Sequence, residues 1–408
     1  MINFGLIQRR RGTRHPAHGT DDAVFTRATT AYKQDGSSVA SGAPRYETAA
    51  TGFSQAITIE KGATNLLIYS DPTALAQIVT QDQVSIAAAA AVGAAFAGGV
   101  VFGDNSVLRY AYITAALAAT TAYFVSAFVK MDDGGVPSVS ATGTSGDFCL
   151  AVGGVVATEA LTVTALGGGL YRCSGKSTTG AAPQQRAGAL KYTTQSNRAF
   201  KVSGFQVETT YRTSYIATAG ASATRNAETL TMLKAGKLQD SHGTVECRVK
   251  PLRSYGTNHQ YIFDGGGALN ANLQAYISSA TGKPALVYGT GSAEVTITSS
   301  GSALVSGTHY GIGWGWSADS GMELLVNGVS VGANAAAPGF VLADTMYKGC
   351  KADGSSQFDG LLYDLCTSFL RRPTTEIKAR YDTGAPLVVD GDTGAIYPFN
   401  ESLAVKAV

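Results

Sequence analysis

Carboxylates come first, because two of them on one strand face can hydrolyse a glycosidic bond. In the C-terminal half Glu246, Glu294 and Glu323 stand far apart in sequence, and no E-x-D-x-x-E pattern joins any two. Glycoside hydrolysis is therefore not expected. A serine hydrolase would show a Gly-x-Ser-x-Gly elbow at a strand-to-helix turn, and no such elbow followed by a helix occurs. His15 and His18 lie among basic residues near the N-terminus, and His242, His259 and His309 have no ligand partner close in sequence. Cys149, Cys173, Cys247, Cys350 and Cys366 form no C-x-x-C pair. The glycine triplets at 167–169 and 265–267 read as loops; neither starts a phosphate-binding helix. No catalytic residue, metal site or cofactor is expected, and the chain is not expected to be an enzyme.

Two other residue sets could recognise a partner. Tyr310-Gly311-Ile312-Gly313-Trp314-Gly315-Trp316 has period 2, so its aromatic residues share one face and its glycines the other. The aromatic face reads as core. Glycine weakens strands and marks close approach of another backbone or a ligand. Gly311, Gly313 and Gly315 are thus candidate contacts for a glycan or a partner chain, the alternative being a smooth outer face. The second set is Arg9, Arg10, Arg11 and Arg14, with no acidic residue before Asp21. They read as a docking arm for an acidic protein surface, or as a solvated basic tail. Nucleic acid is not expected, since no aromatics interleave with these arginines and the net charge is only +2.

The elements that must position these residues read as strands. Charged residues are 15% of the 408, below the usual quarter, and 49 glycines favour many short strands and tight turns. Thr121–Lys130 alternates with apolar residues on both faces, so a central strand is predicted. Ala199–Val207 and Gly243–Lys250 are further strands. Met322, Leu324 and Val326 lead into Asn327-Gly328, a hairpin signal because both turn residues must take positive φ. The odd, widely spaced cysteines predict buried free thiols, with a Cys149–Cys173 bridge as the alternative. Met1–Ile7 is apolar, but its charges follow it, unlike a secretory signal. The uncharged Ile86–Phe102 run is rich in Ala and Gly, which drive membrane insertion weakly. It is expected to pack on a neighbouring subunit or to be an inner strand of its own module. Membrane insertion is not expected.

Several motifs resemble those of tailed-bacteriophage structural proteins with a carbohydrate-binding-like β-sandwich. Phe25-Thr26-Arg27-Ala28-Thr29 with Pro44-Arg45-Tyr46, then Thr64-Asn65-Leu66-Leu67, look like the opening of such proteins. Tyr171-Arg172 looks like a late step. Gly204-Phe205-Gln206-Val207-Glu208, Thr213-Ser214-Tyr215-Ile216-Ala217-Thr218 and Thr224-Arg225-Asn226-Ala227 look like the close. Those proteins carry Trp after the T-N-L-L segment and before G-x-Q-x-E, where this chain has Asp71–Leu75 and Ser203. An aromatic platform for stacking sugars is therefore not expected in this module. Farther on, Phe358-Asp359-Gly360-Leu361 through Leu365, and Glu376-Ile377 through Tyr381, resemble the end of a laminin-G or concanavalin-like jelly roll.

Together these readings predict an all-β chain of two tandem antiparallel β-sandwich (jelly-roll) modules behind an extended N-terminal arm. The expected divisions are an arm at 1–20, a linker-rich lead-in at 21–62, a carbohydrate-binding-like sandwich at 63–228, a jelly roll at 240–385 and an extension at 386–408. The resemblance implies a non-enzymatic virion part, in tail, neck or head, assembled in the host cytoplasm. Its implied partners are other virion proteins, further copies of itself and host surface glycans bound weakly and multivalently. A dedicated receptor-binding tail fibre and a glycan-degrading enzyme are the alternatives.

Overall fold

The structure is a computed structural model that describes residues 23–33, 36–47, 56–82, 84–87, 91–103, 107–209, 211–253, 256, 258–268, 270–383, 393–398 and 406–407. The arginines at 9, 10, 11 and 14 lie outside the described residues. The fold is all-β, with one helix among the described residues, and the chain divides into two compact units. The first unit comprises Arg27–Arg45 and Glu60–Ala227; the second holds Tyr46–Ile59, Glu228–Val408 and the residues up to Thr26. The stretch 21–62 thus supplies strands to both units and is not a simple lead-in. No helix among the described residues is long and apolar enough to cross a membrane.

The first unit is a sandwich of a five-stranded and a six-stranded antiparallel sheet. Its centre is the strand Ala122–Met131, paired on one side with Leu170–Thr178 and on the other with Phe200–Glu208. Val125, Ala127 and Val129 point into the core with Phe205 and Val207. Between Ser126 and Phe128 the register shifts, and the extra residue on the facing strand is Gly204, at φ +61°. A glycine is required there because an L side chain is strained at that φ.

The motifs of the sequence meet in one buried polar network. Asn65 satisfies its whole amide: Nδ2 donates to the carbonyls of Phe205 and Ile216, and Oδ1 accepts from the N–H of Leu67 and Val207. Gln206 Oε1 accepts the Ile216 N–H at 2.8 Å. Glu208 accepts the Thr213 N–H at 2.9 Å and its hydroxyl at 2.6 Å. Glu60 binds Ser214 Oγ at 2.7 Å and forms ion pairs with Arg45 at 2.8 Å and Arg225 at 3.2 Å. Removing one partner from such a set leaves a buried charge uncompensated, so the set fixes how the segment after the strand returns.

Asp71 closes the network. It accepts the Gly204 N–H at 2.8 Å and the Tyr215 hydroxyl at 2.6 Å. Burial pushes its carboxyl up to about 6 despite these bonds. The folded state therefore holds the proton more tightly than the unfolded one. This group favours folding most below about pH 4, and that contribution falls as pH rises to about 6. Asp71→Asn keeps an acceptor for Gly204 and removes the charge. It is expected to be more stable than wild type at pH 7 by on the order of 2–3 kcal/mol, with the difference vanishing at pH 4. Denaturant melts at the two pH values check this; a variant less stable at pH 7 would count against it.

The second unit stacks two larger sheets around one core. In one, Pro284–Gly289, Leu273–Ile277, Gln260–Asp264, Thr345–Lys348, Thr229–Leu233 and Val24–Thr26 run in spatial order. In the other, Gly321–Val326, Tyr310–Ser317, His242–Pro251, Gly360–Ser368 and Ala56–Ile59 are neighbours. The far side of Gly360–Ser368 is shared: Ala56–Ile59 pairs with Gly360–Leu362, and Thr393–Pro398 pairs with Asp364–Ser368. The predicted hairpin forms at Asn327-Gly328, with φ of 52° and 72°. Trp314 and Trp316 are wholly buried, as the alternation predicts.

All five cysteines are free and buried, so Cys149 and Cys173 form no bridge. Residues 88–90 lie outside the described residues; the rest of the run 86–102 is built into the first unit. Gly99–Phe102 pairs with Phe200–Glu208, Val100 and Phe102 are core, and Val92 and Phe96 pack against Phe128 and Tyr215. The inner-strand alternative describes this run better than a free surface for another subunit.

Candidate functional site

The glycine face of Tyr310–Ser317 is not open. The single described helix, α1 (Thr374–Thr383), lies on it. A Cβ added at Gly311 would come within 2.9 Å of the Tyr381 ring, one at Gly313 within 3.9 Å of Ile377, and one at Gly315 within 3.2 Å of Arg371. Strand glycines do mark a close approach, but of the chain's own helix. Gly311, Gly313 and Gly315 therefore do not present a free glycan or partner contact.

The same sheet face gathers carboxylates that look isolated in sequence. Glu246 and Arg248 point to it from His242–Pro251, and Asp364 from Gly360–Ser368, where Arg248 and Asp364 are register partners. Glu323 joins them from Gly321–Val326, opposite Gly315. Each is taken by an arginine. Arg380 of α1 binds Glu246, Arg248 lies 3.5 Å from Asp364, and Arg371 lies 3.3 Å from Glu323. Burial pushes Asp364 up to about 6, with Arg248 pulling the other way, and burial likewise raises Glu246 against Arg380. Of these, Arg380–Glu246 fastens α1 to the sheet, Arg248–Asp364 joins two neighbouring strands, and Arg371 holds Glu323 from just before the helix. Glu294 stands apart, on the edge strand Glu294–Thr298 of the other sheet.

The opposite sheet offers a surface for recognition. A bulge between Tyr261 and Phe263 sends Ile262 and Phe263 into the core and leaves Tyr261 on the outer face. Tyr276 is its register partner, and their ring centroids are 5.3 Å apart. His259 adds a third ring, 4.3 Å from Tyr276 and tilted by 30°. The Ser279 N–H donates to His259 Nδ1 at 3.0 Å, which places the proton of the neutral ring on Nε2. Burial lowers the pKa of this histidine, so it stays neutral near pH 7. Tyr276 and His259 are half-buried, whereas Tyr261 is buried, at 7% exposed, and supports them from the side. Such rings offer apolar faces and polar edges, the combination that packs on sugar rings. Alternation in Leu273–Ile277 places Tyr276 outward, but its meeting with Tyr261 and His259 depends on register. Among the described residues no three His, Cys, Asp or Glu side chains are placed to hold a metal ion.

The family described as Concanavalin A-like lectin/glucanases superfamily matches residues 213–367. The chain carries a concanavalin A-like jelly-roll module. No curated protein matches the chain. Among solved structures, part of the chain is similar to a native heptameric SAP-like pentraxin from Limulus polyphemus. That match has 22% identity, covers 34% of this chain and 69% of the other, and has a TM-score of 0.29. It is also similar to domain 4 of AbnA, an extracellular arabinanase from Geobacillus stearothermophilus solved with arabinotriose, at 16% identity, 38% and 72% coverage and a TM-score of 0.33. A botulinum neurotoxin type C structure, whose cell entry depends on two ganglioside molecules, matches at 9% identity, 40% and 41% coverage and a TM-score of 0.32.

Proposed function

We propose that this chain is a non-enzymatic bacteriophage virion protein whose jelly-roll module contacts host surface glycans through the His259 and Tyr276 rings, with Tyr261 packed beside them. The observation that carries the non-enzymatic reading is the closed sheet face. Glu246, Asp364 and Glu323 share that face, but each faces an arginine and α1 lies across the strand beside them. A glycosidase needs one carboxyl free to give a proton and another free to attack or to activate water. The virion reading is supported by the phage-like motifs, which act in this chain as one buried network. Weak single sites suffice for adhesion when many copies are displayed together. The aromatic cluster favours the second reading, a dedicated receptor-binding fibre, over a purely structural part.

Purified full-length chain incubated with host capsule and lipopolysaccharide is expected to bind without shortening the polysaccharide. Tyr276→Ala is expected to weaken binding by about tenfold, the order of one lost stacking contact. Mass spectrometry of purified particles is expected to contain this chain. Release of defined oligosaccharides, or absence of the chain from particles, would overturn the reading.

A further inference from the structure

The first unit holds two arginines, Arg172 and Arg212, that make no ion pair with a carboxylate among the described residues. On the outer face of its six-stranded sheet, Ser126, Ser174 and Thr162 form one cross-strand row, and Phe128, Arg172 and Thr164 the next. Arg172 is only 6% exposed. Its Nη2 donates to Ser126 Oγ at 3.0 Å, and its guanidinium lies 5.2 Å from the centroid of the Phe128 ring. Its Nε–H is buried with no acceptor. Arg212 reaches the same place from the loop after Phe200–Glu208. Its Nη1 stands 3.5 Å from both Thr162 Oγ1 and Ser174 Oγ, at the outer limit of a hydrogen bond. Those two hydroxyls are 2.6 Å apart.

Neither guanidinium lies within ion-pair distance of a carboxylate among the described residues, whereas Arg45 and Arg225 of the same unit share Glu60. Glu208 and Glu60 both act on them from farther off, but Glu208 already accepts two bonds from Thr213 and Glu60 is paired with Arg45 and Arg225. Burial holds both arginines below their ordinary basicity, and for Arg172 the charge of Arg212 adds to the effect. Two like charges in a poorly solvated place need an anion, and guanidinium forks match planar oxyanions. Exposed Thr162 and half-buried Arg212 leave the place open from outside, with Arg172 as its floor.

We propose that Arg172 and Arg212, with the hydroxyls of Thr162 and Ser174, bind the carboxylate of an acidic saccharide. Recognition in this unit then works by charge, in a module without the tryptophans that would stack a sugar. The inference uses the other unit from the jelly-roll contact and stands or falls apart from it.

The test is titration of the full chain with trigalacturonate, with a neutral galactose trisaccharide and with sodium sulfate, followed by calorimetry. Trigalacturonate is expected to bind at least about tenfold more tightly than the neutral sugar, as for one charge-assisted bond pair. Its affinity should fall as salt rises. Arg212→Gln is expected to lose that preference, and exposed Thr162→Val to weaken it, while Tyr276→Ala leaves it intact. Arg212→Gln should also raise the melting temperature without ligand, since it removes a like charge. Equal affinity for acidic and neutral sugars would overturn the site, as would full affinity in both variants. A response to sulfate but not to trigalacturonate would overturn its assignment to a saccharide.

Discussion

Trp314→Ala is expected to destabilise the second unit by about 3–5 kcal/mol, the cost of a large cavity in a packed core. Trp314 is wholly buried, faces Leu324 and Val245 across the sheet and packs 5.4 Å from the Phe263 ring. Its indole N–H is buried without an acceptor, whereas that of Trp316 donates to the Gln239 carbonyl at 3.2 Å. The two positions should therefore part company in milder variants. Trp314→Phe removes an unpaired donor and recovers part of the lost packing; Trp316→Phe gives up a hydrogen bond that is made. Trp316→Phe is expected to cost more, by on the order of 1–2 kcal/mol. The chain has only two tryptophans, so each variant keeps one as a fluorescent reporter during urea unfolding. Equal losses for the two Phe variants would show that the indole N–H groups do not matter.

A fragment of residues 228–408 alone is expected not to fold. The second unit takes Phe25, Ile57 and Ile59 from the N-terminal part of the chain, and all three are fully buried in its core. Each Ile is worth on the order of 2–5 kcal/mol and the Phe 3–5, together comparable with a whole domain's stability of ~5–15 kcal/mol. Their loss also uncovers a third of one side of the central strand Gly360–Ser368. Circular dichroism and a thermal melt would test this. Fusing residues 46–59 ahead of 228 should restore part of a cooperative transition. A native-like spectrum and a sharp melt from the bare fragment would reject the dependence.

Much of the fold was legible locally. The alternation in Tyr310–Trp316 correctly assigned the tryptophans to the core, because period 2 needs no knowledge of the rest of the chain. The Asn327-Gly328 turn and the strand around Val125 were legible for the same reason. What covers the glycines was not, since α1 lies some sixty residues farther on and nothing in its sequence names its seat. Glu246 and Glu323 looked solitary because register, not spacing, brings them onto one face with Asp364. The ring cluster of His259, Tyr261 and Tyr276 escaped for that reason too. It depends on a bulge, and a bulge leaves no reliable mark in a short apolar run. The phage-like motifs were visible as strings, but only the structure shows that they bind one another.

The strand Ala56–Ile59 has a consequence for synthesis on the ribosome. Its partner residues Gly360–Leu362 emerge roughly 300 residues later, which at ordinary elongation speeds is about 15–60 s. Through that interval Ala-Ile-Thr-Ile waits with this edge unpaired, and every residue of the first unit emerges before its partner does. An apolar strand left in that state is a template for pairing with other nascent chains. Crowded polysomes should therefore favour misassembly, and slowing translation before residue 228 should worsen it by prolonging the wait.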